Sequence, residues 1–286
     1  MQIAATVEEL KARLAAPRAA GARVAFVPTM GNLHAGHLKL VEAARRLGDY
    51  VVASIYVNPL QFGPGEDFEA YPRTPEADRH ALEAAGADLL FMPGDAEIYP
   101  RGRERQTRVE VPGISDILCG ASRPGHFRGV ATVVNRLFNL VRPQVAVFGK
   151  KDYQQWLIIR LMVADLGLPV EIEAVETVRE ADGLAMSSRN RYLTRAERAV
   201  APRLYATLER IRGRILQGDG DYPALEADAR EALAAAGLRP DYFAIRRQED
   251  LGSPGPGDRR LVLLAAAWLG RARLIDNLEA DLNAGP

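Results

Sequence analysis

Cysteine is nearly missing. Cys119 stands alone, so no internal disulfide can form and the chain suits a reducing compartment. A surplus of charge is missing too: 37 Lys and Arg balance 37 Asp and Glu. That argues against a nucleic-acid partner, which calls for a basic excess. No apolar run is long enough for a membrane span, since the longest, Leu261 to Leu269, is too short. The opening residues, Met1-Gln-Ile-Ala-Ala-Thr-Val-Glu-Glu, are acidic and lack the pattern of a secretory signal. The expectation is a cytoplasmic protein that engages neither membrane nor nucleic acid. Lysine is scarce as well, confined to Lys11, Lys39, Lys150 and Lys151. Two of the four histidines, His80 and His126, stand apart, and Cys119 has no partner at ligand spacing, so a Cys/His metal site is not indicated.

What is present is a globular balance, 48% hydrophobic and 26% charged over 286 residues, enough for one large or two ordinary domains. The most informative stretch runs from Val24 to His37. Val24 to Val27 reads as a buried strand, Pro28 and Gly31 break it, and Leu38, Val41, Ala44 and Leu47 then recur at helical spacing. His34-Ala-Gly-His37 therefore sits where a parallel strand hands over to a helix, the end of an open α/β sheet that binds ligands. A helix start offers free N–H groups and a positive dipole end, both suited to phosphate. Residues three apart share a face, so both imidazoles can address one phosphate. Gly36 lets a nucleotide lie close to the backbone.

Around this stretch the chain alternates. Thr6 and Glu9 make a capping box for a helix over Val7–Leu14. Strands are expected at Tyr50–Val57, Asp88–Met92, Gln144–Gly149 and Val170–Val175, with an edge strand at Gln106–Val111. Helices are expected from Thr74-Pro75 to Gly86, over Val130–Val141 and over Tyr153–Leu166. Alternation of this kind means βαβ units and a doubly wound, Rossmann-like parallel sheet over residues 1–176. From residue 177 to 286 the pattern changes. A capping box at Thr194 and Glu197 opens a long helix to about Gln217, and another helix spans Tyr222–Ala236. Three strands follow without helices between them, Asp241–Arg247, Arg260–Trp268 and Arg271–Leu278. A smaller α+β domain with an antiparallel sheet is expected there.

Two more segments carry chemistry. Phe148-Gly-Lys150-Lys151-Asp152 places half of the chain's lysines after a strand, and a compact ammonium suits a phosphate. Met186-Ser187-Ser188-Arg189 offers two hydroxyls and a guanidinium, the latter able to bind phosphate bidentately.

His-x-Gly-His followed by these segments, in this order, resembles the nucleotidylyltransferase and class I aminoacyl-tRNA synthetase superfamily. More narrowly, five stretches resemble the pantothenate synthetase (pantoate–β-alanine ligase) family: Pro28–His37, Val57–Gly63, Arg123–Val130, Phe148–Gln155 and Met186–Asn190. The resemblance implies a ligase that uses ATP to join pantoate to β-alanine, giving pantothenate, AMP and pyrophosphate through a pantoyl adenylate. It implies ATP along Met30, Gly31, Asn32, Leu33, His34, Ala35, Gly36 and His37, along Gly149, Lys150, Lys151 and Asp152, and along Val178, Met186, Ser187, Ser188 and Arg189. His37, His34, Lys151 and Arg189 carry the catalytic expectation. Gln61 and Gln155 are implied to hold pantoate, with Asn58 helping. Mg²⁺ accompanies the triphosphate, with its protein ligands left open, and the family is implied to be a homodimer. The one departure is Lys150, where the family often has Glu, and its individual role stays open. The competing reading is another adenylyltransferase of this superfamily acting on a small phosphorylated metabolite. A truncated tRNA synthetase and a non-enzymatic nucleotide-binding regulator rank behind it.

Overall fold

A computed structural model describes residues 1–63, 65, 66 and 68–282. Pro64, in the loop expected after Asn58, and residues 283–286 of the expected second domain lie outside the described residues. The contacts divide the chain into two compact units: Met1–Gly149 with Gln155–Glu176, and Lys150–Gln154 with the chain from Thr177 onward.

The first unit runs β1 (Gln2–Ala4), α1 (Val7–Ala19), β2 (Val24–Thr29), α2 (Ala35–Leu47), β3 (Tyr50–Ile55), α3 (Pro75–Ala84), β4 (Leu89–Phe91), α4 (Asp95–Ile98), α5 (Cys119–Ser122), α6 (His126–Val141), β5 (Val145–Gly149), α7 (Tyr153–Asp165) and β6 (Glu171–Val175). Its six strands form one sheet in the order β1-β4-β3-β2-β5-β6, and every pairing is parallel. Side chains alternate across it, as the twofold strand period requires. Ala25, Val27, Ala53, Leu90, Val145 and Val147 face Val41 and Ala44 of α2 and Leu82 of α3. On the strands' alternate positions, Phe26 and Phe148 meet Phe138 of α6 edge-on, each with ring centroids 6.3 Å apart. Both faces are therefore covered, which is why these strands read as continuous apolar runs. Burying one such phenyl ring contributes about 1.5–3 kcal/mol. The expected doubly wound parallel sheet is the fold found. Strand order reverses between β2 and β5, so the carboxyl ends of these neighbours form the switch point where such sheets bind ligands.

The second unit contains α8 (Arg195–Val200), α9 (Arg203–Leu216), α10 (Tyr222–Ala235) and the strands β7 (Arg239–Arg247), β8 (Arg260–Leu269) and β9 (Ala272–Asp281). The strands form an antiparallel sheet in chain order. Leu204, Leu208 and Ile211 of α9 and Leu225 and Leu233 of α10 close over Phe243, Leu263 and Ala265. The smaller α+β arrangement is as expected.

Several expected elements differ. Gln106–Val111 is not a strand: Val109 instead donates its N–H to Thr132 Oγ1 at 2.9 Å, a side-chain partner on α6. The long helix from Thr194 is two helices, because Pro202 cannot supply the N–H that would continue α8. The Thr194–Glu197 capping box itself forms. Thr74 makes no side-chain cap, so Pro75 alone marks that helix start. Helix α6 begins four residues before Val130, after Gly125 turns through φ 79°. Strand β1, pairing in parallel with β4, had no apolar alternation to reveal it.

Candidate active site

The first unit builds its site from the carboxyl end of β2. Gly31 (φ 81°) and Asn32 (φ 52°) are both left-handed, which turns the chain sharply after Met30. The turn hangs on a carboxylate. Asp78, on the first turn of α3 and 3% exposed, accepts from the N–H groups of Asn32 and Leu33, both at 2.8 Å. Sequence reasoning missed Asp78, because an acid in a helix's first turn already has a reason to be there, the helix dipole.

His34 is the N-cap of α2, and the two imidazoles close the cap between them. His34 Nδ1 accepts from Gly36 N at 3.1 Å, and His37 Nδ1 accepts from His34 N at 3.3 Å. The arrangement is a capping box made with rings in place of Ser and Glu. The ring centroids lie 4.1 Å apart. A neutral imidazole has one donor and one acceptor nitrogen. With both Nδ1 atoms accepting, these hydrogen bonds assign the proton of each ring to Nε2. The turn thus gathers both rings at the start of a helix whose dipole favours an anion. Gly149 ends β5, the neighbour of β2.

Gln61 and Gln155 follow β3 and β5, the two strands that flank β2. Gln155 is half-buried on the first turn of α7. Gln61 ends a short helical turn, Pro59–Gln61, and is 8% exposed. Its amide lies on Met30, with Nε2 2.9 Å from Sδ, so this turn touches the turn after β2. Asn58 is 1% exposed and uses all four of its hydrogen-bonding positions inside the protein. Nδ2 donates to Gln61 Oε1 and Gly129 O, both at 3.1 Å, while Oδ1 accepts from Leu60 N at 3.2 Å and Tyr99 OH at 2.6 Å. Burial pushes the Tyr99 phenol well up, so it stays a donor. Asn58 therefore stands against Gln61 and fixes its amide. The approach of this turn to α6 requires Gly129: a Cβ there would sit 2.1 Å from Leu60 O. The Gln61 carbonyl is gripped from the start of α6. His126 Nδ1 lies 2.7 Å and Arg123 3.3 Å from it, and Arg123 pairs with Glu66 at 2.5 Å. His126, apart from the other histidines in sequence, thus belongs to this loop.

The second unit carries the remaining expected residues. Lys150, Lys151 and Asp152 form a 3₁₀ turn. The Val178 carbonyl accepts from Met186 N at 2.9 Å, closing a hairpin whose strands meet as an Arg179–Ala185 bridge. Ser187 then caps a further turn, its hydroxyl accepting from Arg189 N at 3.2 Å. Ser188 and Arg189 are half-buried. Among the described residues, no group of three or more His, Cys, Asp or Glu side chains is gathered to hold a metal ion. None of their helices is long and apolar enough to cross a membrane.

The family model for Pantoate-beta-alanine ligase matches residues 2–279. The chain belongs to the Pantoate-beta-alanine ligase family. A pantothenate synthetase of Thioalkalivibrio sulfidiphilus is 61% identical over 282 residues, 99% of each chain. Among solved structures, the pantothenate synthetase of Thermus thermophilus matches with TM-score 0.91 and 53% identity, over 98% of this chain and all of that one. The Pantoate-beta-alanine ligase of Francisella tularensis, complexed with beta-gamma ATP and beta-alanine, matches with TM-score 0.78 and 32% identity over 97% of both chains.

Proposed function

We propose that this chain is an ATP-dependent ligase that joins pantoate to β-alanine and releases pantothenate, AMP and pyrophosphate. The observation that carries the reading is the imidazole-capped turn at the switch point of the sheet, in a chain of this family. A pantoate carboxylate oxygen attacks the α-phosphorus of ATP, and the bond to pyrophosphate breaks in line. The protein's task is positioning and charge neutralisation. His34 and His37 donate from Nε2 to phosphate oxygens as they gain charge. Lys151 and Arg189 supply cations, and the backbone from Met30 to His37, Gly149, Asp152, Val178 and Met186 to Ser188 lines the nucleotide. Gln61 and Gln155 hold pantoate, with Asn58 fixing the Gln61 amide. In the second step the neutral amine of β-alanine attacks the acyl carbon of pantoyl adenylate. The acyl C–O bond breaks, AMP leaves with that oxygen, and the amine gives up a proton.

ATP enters with Mg²⁺ on its phosphates. The described side chains form no cage of their own for that ion, so it is treated as part of the nucleotide and no step runs through it. The protein acts in the cytoplasm as a homodimer, without nucleic acid. The test is incubation with ATP, Mg²⁺, pantoate and β-alanine. AMP and pantothenate should appear together and only when pantoate is present. AMP formed without pantoate, or dependent on a phosphorylated acceptor, would overturn the assignment.

A further inference from the structure

The Lys150–Asp152 turn and the hairpin from Val178 to Met186 are tied to one short stretch of β9. Asn277 Nδ2 donates to Lys150 O at 2.8 Å and to Lys151 O at 3.0 Å. Glu279 accepts from Lys150 Nζ at 2.7 Å and from Tyr153 OH at 3.1 Å. Asp276 takes the Arg179 guanidinium on both oxygens, at 2.6 and 3.0 Å, and Arg179 also donates to Gly183 O at 3.1 Å inside the hairpin. The guanidinium lies 3.8 Å over the Tyr205 ring. Asp276 and Asn277 are 3% and 6% exposed. Burying a carboxylate and an amide is unfavourable unless they hold something, and what these hold is two turns that come 97 to 127 residues earlier.

We propose that β9 is the positioning element for the ATP-binding groups of the second unit. Asn277 and Glu279 fix the turn that presents Lys151, and Asp276, through Arg179, fixes the hairpin that leads into Met186–Arg189. None of the three touches ATP. Lys150 is a strut whose ammonium is held by Glu279, and Lys151 is the phosphate cation. The inference rests on the ligase reading. That reading is checked first with the wild-type protein in the pantoate-dependent AMP assay, whose failure would strike the function and not the splint.

The test then measures binding of an α,β-methylene ATP analogue, which cannot release pyrophosphate, by calorimetry, alongside KM for pantoate, in Asn277→Ala, Glu279→Lys and the Glu279→Lys/Lys150→Glu double variant. Asn277→Ala should weaken the analogue roughly tenfold, the effect of losing a buried pair of hydrogen bonds, with KM for pantoate within about twofold. Glu279→Lys should weaken it similarly. Adding Lys150→Glu should restore binding to within about threefold of wild type, because the pair is re-formed with its charges exchanged. Three results would overturn the proposal: unchanged analogue binding in both single variants, equal weakening of analogue and pantoate, or a double variant no better than Glu279→Lys. The last would make the Lys150 ammonium itself a nucleotide contact. Should Asn277→Ala fail to fold, the charge exchange decides alone.

Discussion

Two turns in this molecule are proposed to meet phosphate, and they are built in opposite ways. The His34–His37 turn closes on itself, each ring accepting a backbone N–H within three residues. The Lys150–Asp152 turn is held by Asn277 and Glu279, more than 125 residues downstream. The first turn carries its function and its scaffold in the same two side chains. In the proposed reading the second separates them, with Lys151 for chemistry and β9 for support. A motif of the first kind announces itself in a short window, whereas one of the second kind shows only half of itself.

The largest expected effect is on the self-contained turn. His37→Ala should lower kcat by about 10² to 10⁴, since a donor aimed at developing charge is lost. The fold should lose only a cap, about 1 kcal/mol. Steady-state kinetics with a melting curve separates the two, and near-normal turnover would remove His37 from the chemistry. Asp78→Ala probes a remote support of this turn. It strands the N–H groups of Asn32 and Leu33, at about 1–3 kcal/mol for each buried donor left unmade. Tm should fall by roughly 4–20 °C and kcat should fall with it. An unchanged Tm would show the turn to be self-supporting throughout.

Gln61→Ala should raise KM for pantoate by roughly ten- to a hundredfold, with KM for ATP nearly unchanged. Equal effects would contradict its assignment to pantoate. The smallest effect belongs to the clasp behind Gln61. Burial works to raise the Glu66 carboxyl, but hydrogen bonds and charge from Arg123 outweigh it and hold the group below its ordinary value of 4.5. A lowered carboxyl stabilises the fold above the unfolded value, and that stability disappears as pH falls through the lower native value. Glu66→Gln should therefore lose no more than about 1 kcal/mol near neutrality and melt like the wild type in acid. Melting curves against pH check this, and a gap that widened in acid would reverse the sign.

The parallel sheet was legible because strands buried on both faces stay apolar, as Val24–Val27 and Val145–Phe148 do. The antiparallel sheet was legible from strands that follow one another without helices. The histidine turn was legible because its spacing is local, although its capping role was hidden: imidazole is not an ordinary cap. Asp78, His126, Asn277 and Glu279 were not legible. The first three act on backbone far away in sequence and Glu279 on the distant side chains of Lys150 and Tyr153, and nothing in their own neighbourhoods records those partners. Asn58 was half legible. Its place in the loop after β3 could be read, but only the four bonds around its amide reveal that it braces Gln61. Pro202 could have been read, since a proline beyond the first turn ends a helix.

The claim beneath all of this is that a carboxylate oxygen of pantoate attacks the α-phosphorus of ATP. It is tested most directly with pantoate labelled with ¹⁸O in its carboxylate, in a complete reaction analysed by mass spectrometry. The account predicts one labelled oxygen in the phosphate of AMP and none in pyrophosphate. Label in inorganic phosphate or pyrophosphate, or AMP free of label, would contradict it.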